Sequence, residues 1–492
     1  MDYGKILEIL KFNADEPLLF NTGLFLVLFL AFLGIYQLLC RWKYVKLVFV
    51  ILFSLYFYYK SSAEYCFILL FVCVSDYVLG LLTGMARRNW IKRMIVAVNV
   101  FSNIGMLIYF KYFNLLYETI ANFADIRFDP VDIILPAGIS FFTFRSISYI
   151  VDIYRGQIQP CRDFLAYTFY LTFFPPLLAG PVVRAKDMLP QVHANPVASR
   201  AMVSEGLFLI MCGLVKKVIV ADYISQNFVD RIFDNPSLYS GFENLMGAYG
   251  FILQLYCDFS GYTDMAIGIA LLLGYRFLDN FRSPFKSQSP TEFWHRWHIS
   301  LSTWLRDYVY IPLGGNRCGK LRRNLNLMTT MVVGGLWHGA SWMYVIWGAL
   351  HGVFLVGHKQ LKGIMKGKSV EEKKTPGWRV AFNVFITFNL IAFSFVFFRA
   401  RSLDVVNDMA TQVFTAFHPE ILPQFVTGYL LIVLAVMSGF LLHFAPQKWT
   451  RKLKNFYGAM PLVVQALILA VVIFLIIQVR SSEIVPFVYL QY

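Results

Sequence analysis

Length, composition and charge exclude most classes of protein. The chain has 492 residues, of which 58% are hydrophobic and 15% charged, and its formal net charge is +15. A soluble globular domain is rarely this apolar, whereas a polytopic membrane protein is. The excess basic residues cluster in short loops, which the positive-inside rule explains, so no nucleic-acid partner is expected.

Apolar runs recur along the whole chain. A helix needs about 20 mainly apolar residues to cross the bilayer core, so the runs predict about 11 to 13 membrane helices, some tilted, kinked or re-entrant. We therefore expect an all-α polytopic membrane protein in which residues 1–492 form one membrane domain. The runs are Leu18–Leu39, Tyr44–Tyr59, Tyr65–Leu82, Met94–Phe110, Ile133–Val151, Phe164–Gly180, Gly206–Ala221, Leu245–Leu273, Leu325–Gly335, Ala340–Val356, Val380–Phe398, Val426–Phe444 and Leu462–Val479.

Three segments are too polar to belong to these spans. Residues 1–17 mix acidic, basic and aliphatic side chains, which predicts a short amphipathic helix at the interface and not a cleaved signal peptide. Residues 280–323 combine charges with large aromatic side chains, which predicts an interfacial or re-entrant segment. Residues 359–377 are rich in Lys, Gly and Glu and predict a cytoplasmic linker.

Searches for common catalytic motifs exclude several enzyme classes. The chain has no GxSxG elbow, P-loop, HExxH motif or Rossmann glycine pattern, so hydrolase, ATPase, zinc-protease and nicotinamide-enzyme functions lose their support. Its seven cysteines are scattered and form no CxxC pair. His295 and His298 have i, i+3 spacing but no third ligand nearby, so no metal site is expected.

One histidine stands out among apolar and small residues, His338 in the segment Gly335–Trp342. An ionisable group at membrane depth is costly unless it is satisfied, and by default it marks a functional site. Imidazole is also the side chain best suited to accept a proton near neutral pH. A histidine that is simply hydrogen-bonded inside a packed bundle is the alternative.

Two further segments carry polar groups in apolar surroundings. The segment Gln254–Asp264 contains Asp258, which we expect to face a water-filled cavity, pair with a cation or cap a helix end. Read as one helix, Glu292–Tyr308 has an aromatic face and an adjacent polar strip. His298 borders the aromatic face and is expected to make a buried polar contact, whereas His295 is expected to face headgroups.

A glycine turn at Gly314–Gly315 leads into the basic cluster Arg317–Arg323, and a hydrophobic run then reaches His338. The glycines around the histidine permit a helix break or a close approach of backbones. We therefore expect a cavity with His338 at its base, entered from the basic cytoplasmic side.

Ordered motifs along nearly the whole chain resemble the membrane-bound O-acyltransferase family, in the bacterial branch typified by alginate O-acetylases. The family's membrane-buried histidine falls on His338, and its second histidine falls on His298. His295 stands where members of the family usually carry arginine, which puts a general role for His295 in doubt. The matching segments are Leu135–Phe144, Tyr149–Arg155, Phe173–Arg184, Asp258–Tyr262, Phe293–Ser302, Arg306–Tyr308, Tyr310–Arg317 and Leu336–Ala340.

The resemblance implies transfer of an acyl group, most simply acetyl, to a hydroxyl across the bacterial cytoplasmic (inner) membrane. The donor would be a cytoplasmic thioester, acetyl-CoA or an acyl carrier protein, with no permanently bound cofactor. The acceptor would be an extracytoplasmic polysaccharide or a partner protein that passes the group on. The family's architecture would be a ring of helices around a central funnel or tunnel.

The same resemblance implies roles for individual residues. His338 would be the general base that activates the hydroxyl, and His298 would orient a substrate or His338 and help hold the oxyanion. Further substrate contacts are expected at Arg296, Trp297, Ser302, Arg306, Asp258 and Trp337.

Three other functions stay open on the sequence alone. D-alanyl transfer to teichoic acids belongs to the same superfamily, although the intact segment Tyr310–Arg317 favours the alginate-type branch. A transporter could use His338, Asp258 and Asp264 in a proton or ion path, because intramembrane ionisable residues serve such paths too. The third alternative is a non-catalytic scaffold of a polysaccharide secretion complex.

Overall fold

Helices make up almost all of the regular structure. The computed structural model describes residues 8–13, 16–366 and 376–479; the model is 78% helical, and these ranges contain no strand. The prediction of an all-α polytopic membrane protein is confirmed.

The chain forms two compact units. The first comprises Met1–Ile210 and Tyr262–Phe277, and the second comprises Met211–Gly261 and Leu278–Tyr492. A single domain over residues 1–492 stays a prediction.

Aromatic packing and a buried carboxylate hold the first unit together. Phe32 and Phe174 meet edge to face, with ring centroids 5.7 Å apart. The buried carboxylate of Asp76 accepts hydrogen bonds from Asn99, Ser146 and Tyr167, which gives a polar group in an apolar interior the partners it needs. The helices of this unit are α1 Gly23–Leu39, α2 Lys43–Ser62, α3 Cys66–Met85, α4 Asn89–Leu107, α5 Phe113–Ala124, α6 Ile139–Tyr154, α7 Phe164–Thr172, α8 Ala185–Ala194 and the greater part of α9 Arg200–Leu214.

The second unit contains both histidine motifs. Three π-helical segments, Val215–Asp222, Ser225–Val229 and Arg306–Tyr310, interrupt its regular helices. Its helices are α10 Asp230–Asp234, most of α11 Gly241–Leu272, α12 Pro290–Arg296, α13 Ile299–Leu305, α14 Lys320–His338, α15 Trp342–Lys366, α16 Gly377–Arg399, α17 Leu403–Thr415, α18 Leu422–Gly428, α19 Leu430–Phe444, α20 Gln447–Ala459 and α21 Leu462–Val479.

Fewer helices pass a length and composition test for membrane spans than the apolar runs predict. Within the described ranges three stretches pass, or up to five if each bent pair of helices is one span. Many apolar runs fold as short or interrupted helices; the run Gly206–Ala221, for example, passes from α9 into a π-helical segment. The stretches are Lys43–Met85, Asn89–Ala124 and Gly377–Arg399, and the bent pairs are Pro419–Gly428 with Leu430–Phe444 and Gln447–Ala459 with Leu462–Gln478.

The three polar segments have different outcomes. Of the predicted interfacial helix 1–17, residues 1–7 and 14–15 lie outside the described residues. Residues 280–323 consist of short helices and turns up to the start of α14, and their interfacial or re-entrant position stays a prediction. Of the predicted linker 359–377, residues 359–366 belong to α15, and residues 367–375 lie outside the described residues.

Glycines bring α14 and α15 into close contact. A Cβ atom at Gly335 would overlap the carbonyl oxygen of Tyr344, and one at Gly339 would overlap the Tyr344 ring. Small residues allow two helix backbones to approach closely in the absence of a hydrophobic driving force. This packing positions His338, the last residue of α14, against α15.

Substitution of Gly335 tests this packing. In Gly335→Ala the added methyl group meets backbone that cannot move aside, so we expect a loss of about 1–3 kcal/mol in stability, as for other overpacked sites. Thermal unfolding of the detergent-solubilised protein measures the change. Gly357→Ala is the matched control in α15, because no atom lies within 4 Å of the added Cβ. Equal unfolding temperatures for the two variants would contradict the close approach.

Candidate active site

His338 lies in a pocket of aromatic rings at the end of α14. Its side chain is buried, and its ring centroid lies 4.8 Å from that of Trp337, 4.9 Å from that of Trp347 and 5.1 Å from that of Phe398. These aromatic rings exclude water from the histidine. Electrostatic interactions with a reacting group are stronger in a site of low polarity.

His298 occupies the junction between α12 and α13 and is fully buried. Its ring meets Phe259 edge to face at 4.6 Å and lies 5.6 Å from Trp337. Trp337 therefore contacts both histidine rings. The structure thus brings His298 and His338 next to one shared aromatic residue. The second unit alone supplies this whole cluster.

The side chain of Asn280 decides which nitrogen of His298 carries the proton. Its Oδ1 accepts from the Ser300 amide at 3.1 Å and from the Ser300 hydroxyl at 2.9 Å, and lies 3.3 Å from His298 Nδ1. A backbone amide only donates, so the shared atom is an oxygen, and Nδ1 must carry the hydrogen in this contact. Burial lowers the pKa of His298 to about 3, so the ring is neutral at physiological pH.

The second ring nitrogen of His298 is consequently a hydrogen-bond acceptor. In a neutral imidazole with its hydrogen on Nδ1, the other nitrogen presents a lone pair. His298 Nε2 is buried and has no hydrogen-bond partner in the described part of the chain. Buried polar atoms are nearly always paired, so an open acceptor in this position is a feature of functional sites.

The backbone at His298 adopts an uncommon conformation that its neighbours hold in place. Its φ of 43° and ψ of 55° fall in the left-handed region, which non-glycine residues rarely visit. The Arg282 amide donates to the Arg296 carbonyl and the Ile299 amide donates to the Asn280 carbonyl, each at 2.9 Å. The loop that carries Asn280 is thus fastened on both sides of the histidine.

The chain does not form one continuous helix through His298, so its neighbours in sequence do not lie on one helical face. The single helix expected over Glu292–Tyr308 is wrong, because the chain leaves the helix after Arg296 and restarts at Ile299. Trp297 is buried with its ring stacked on Phe293 at 5.5 Å. His295 is exposed, as expected, so the two histidines of the segment point into different environments.

Three of the predicted substrate-binding residues form ion pairs or hydrogen bonds with other residues of the protein. Arg296 pairs with Glu292 at 2.8 Å, and Arg306 pairs with Asp307 at 2.7 Å. Ser302 donates to the carbonyl of Trp297 at 3.2 Å. Their role in substrate binding stays a prediction.

Asp258 belongs to a buried ion cluster. The Lys217 ammonium lies 2.6 Å from its carboxylate and 2.8 Å from that of Asp222. Of the settings expected for Asp258, pairing with a cation is therefore the one observed, because a buried carboxylate must be compensated. Sequence reasoning missed Lys217, although a lysine inside the apolar run Gly206–Ala221 was the signal that could have found it.

His351 is a second buried histidine that sequence reasoning missed, and both of its ring nitrogens are hydrogen-bonded. The Trp294 indole donates to Nδ1 at 3.3 Å, so Nε2 carries the hydrogen. Nε2 lies 3.0 Å from the Ser394 oxygen, whose own hydrogen goes to the Ile391 carbonyl. A histidine that is satisfied on both sides is a structural one, in contrast to His298.

The described residues contain no group of three or more His, Cys, Asp or Glu side chains placed to hold a metal ion. The seven cysteines are free thiols.

Comparison with known proteins identifies similar sequences. Residues 161–398 match the model of MBOAT, the membrane-bound O-acyltransferase family. The probable alginate O-acetylase AlgI of Pseudomonas aeruginosa is 40% identical over 406 residues, which cover 81% of this chain and 75% of the relative. The peptidoglycan O-acetyltransferase of Helicobacter pylori is 35% identical over 424 residues, 79% of this chain and 78% of the relative. The teichoic acid D-alanyltransferase of Streptococcus thermophilus is 31% identical over 286 residues, 53% of this chain and 67% of the relative.

Replacement of Asn280 tests the assignment of the His298 tautomer. Asn280→Leu keeps the branching of the side chain but removes the acceptor for Nδ1–H, so we expect the single tautomer to be lost. Nitrogen NMR of ¹⁵N-histidine-labelled protein measures the protonation of each ring nitrogen, and the spectrum of His298→Gln identifies the signals. Ser300→Ala is the control, since Asn280 Oδ1 then keeps its contact with His298. A wild-type ring protonated on Nε2 would refute the assignment.

Proposed function

The chain belongs to the membrane-bound O-acyltransferase family, and on that premise we propose that it transfers an acyl group, most simply acetyl, from a cytoplasmic thioester to an extracytoplasmic hydroxyl. It is an O-acyltransferase and a multi-pass membrane protein. The observation that carries the finer proposal is the buried pair His298 and His338, whose rings both contact Trp337.

The reaction needs little more than a base and a polar site for the carbonyl oxygen. The acceptor hydroxyl gives its proton to a ring nitrogen while its oxygen forms a bond to the thioester carbonyl carbon. The tetrahedral intermediate then expels the thiolate, which takes up the proton as the C–S bond breaks. A buried imidazole in a water-poor pocket can accept and return this proton.

We assign the role of general base to His338. It ends a helix that packs closely against α15, and three aromatic rings surround it, so a substrate oxygen would meet it in a defined geometry. His298 presents a lone pair at Nε2 and therefore orients a hydrogen-bond donor of the substrate or of His338.

The tautomer of His298 argues against its expected contribution to the oxyanion, because a neutral ring with an open lone pair cannot donate from that nitrogen. The indole of Trp347 is a better donor. Its ring touches His338, it is fully buried, and its N–H has no hydrogen-bond partner in the ranges that the structure describes. Preorganised donors of this kind stabilise charge that develops in the transition state.

The start of α14 offers a place for an anionic donor. Arg317, Lys320 and Arg322 are exposed at that end, and His338 ends the same helix. Nineteen residues at a rise of about 1.5 Å each separate the cationic end from the histidine by roughly 27 Å. Both the phosphates of coenzyme A and the acidic surface of an acyl carrier protein suit such a cluster.

A polysaccharide is the acceptor that we favour. The relatives that align over about four fifths of this chain are named as O-acetylases of alginate and of peptidoglycan. The D-alanyltransferase aligns over 53% of the chain at 31% identity, which gives that alternative less support. A partner protein that receives the group first and passes it to the polymer fits the same chemistry.

Loss of the general base tests the proposed reaction. His338→Ala should lower acyl transfer by about a hundredfold to ten-thousandfold, because that is the usual contribution of a base. The measurement is the ester-linked acetyl content of the surface polysaccharide in cells that carry wild type, a deletion or His338→Ala at matched protein levels.

Two variants serve as controls for this measurement. His295→Arg changes an exposed side chain and should leave acetylation unchanged, whereas His351→Ala breaks a satisfied hydrogen-bond network and should reduce the amount of protein in the membrane. Normal acetylation in both the deletion and His338→Ala would refute the O-acetylase function. A fall in protein level for His338→Ala that matches the fall in activity would make His338 a structural residue.

A further inference from the structure

We propose that α20 is a docking surface for the anionic headgroups of the membrane leaflet that it borders. The proposal is independent of the acyl-transfer reaction, since it concerns residues 447–459 and not the histidine cluster. Charge, the pattern of exposed apolar side chains and the course of the chain support it separately.

The first argument is the charge of α20. Lys448, Arg451 and Lys452 are exposed, and the helix sequence contains no acidic residue. Its positive charges are therefore not neutralised along the helix itself. A cationic helix that is anchored in a membrane protein attracts phosphate-bearing lipids within a Debye length of the surface.

The second argument is an apolar stripe on the same helix. Trp449, Leu453 and Phe456 follow the i, i+4, i+7 spacing of one helical face, and they are 67%, 57% and 65% exposed. An amphipathic helix with aromatic residues on one side and cations on the other lies in the headgroup layer with its apolar side towards the acyl chains. An acidic protein partner would explain the cations but not the stripe.

The third argument is the course of the chain around α20. Pro446 stands at the N-cap of the helix, and Pro461 follows its C-cap, so proline breaks the helix from its neighbours at both ends. The following apolar helix α21 is inclined to it by 118°. The hydroxyl of the buried Tyr457 donates to the Gln465 carbonyl at 3.0 Å and holds this bend.

Together these features point to anionic lipid as the molecule that binds α20. The bend turns α20 out of line with an apolar helix, as expected where a chain runs along a membrane surface before it enters the bilayer. Tyr457 faces the protein, and the stripe and the cations face outwards. Anionic lipid satisfies both outward surfaces at once, with phosphate at the cations and acyl chains at the stripe.

The test compares full-length protein in nanodiscs of phosphatidylcholine alone and of phosphatidylcholine with an equal part of phosphatidylglycerol. We expect phosphatidylglycerol to raise the unfolding temperature of the wild type, because a ligand that binds only the folded state stabilises it. The variant Lys448→Gln/Arg451→Gln/Lys452→Gln should lose most of this rise. The matched control, Arg41→Gln/Arg87→Gln/Arg88→Gln, removes the same number of exposed cations elsewhere and should keep it.

Several results of this experiment would overturn the proposal. An unchanged rise in the α20 variant, or an equal loss in the control, would overturn the proposal. If the triple variant does not fold in phosphatidylcholine, the single variant Arg451→Gln decides the matter, because it should lose part of the rise whereas Arg87→Gln should lose none. Retention of an acidic carrier protein by wild type, without any effect of phosphatidylglycerol, would favour a protein partner instead and overturn the lipid assignment.

Discussion

A polar group buried away from water must find its partner inside the protein, and this constraint organises the second unit. Lys217 is enclosed by the carboxylates of Asp258 and Asp222, and His351 is bonded at both ring nitrogens. His298 obeys the constraint on one side only, because Asn280 takes its Nδ1–H while the lone pair on Nε2 stays open. An open acceptor on a buried ring is the kind of exception that a substrate completes.

Packing and hydrogen bonds within the second unit hold the site residues in position. Close packing at Gly335 fixes the end of α14, where Trp337 and His338 lie next to each other in the chain. Trp337 then contacts the ring of His298, which reaches the site from a separate break between two short helices. The uncommon backbone of His298 is tolerated because main-chain hydrogen bonds fasten the loop beside it. Rigid elements on both sides suit a reaction that depends on geometry.

Local patterns in the sequence predict some of this and not the rest. Composition and apolar runs are sufficient for the all-α membrane class, and a histidine in an apolar stretch is sufficient to single out His338. The number of membrane spans cannot be predicted in the same way, because π-helical interruptions and bends leave no clear trace in the hydropathy of the sequence. The prediction of one aromatic face and one polar strip over Glu292–Tyr308 assumes a continuous helix, and the left-handed residue His298 interrupts that helix. The contact with Asn280 joins residues that only the folded loop brings together.

The most direct test of the central claim places donor and acceptor on opposite sides of a membrane. Protein in sealed proteoliposomes would receive a labelled acetyl thioester on one side, with a polysaccharide enclosed on the other. The account predicts labelled ester on the enclosed polysaccharide with wild type, and about a hundredfold to ten-thousandfold less with His338→Ala. Transfer that proceeds equally well without His338, or only when donor and acceptor share one side, would contradict the assignment of this cluster as the site of transmembrane acyl transfer.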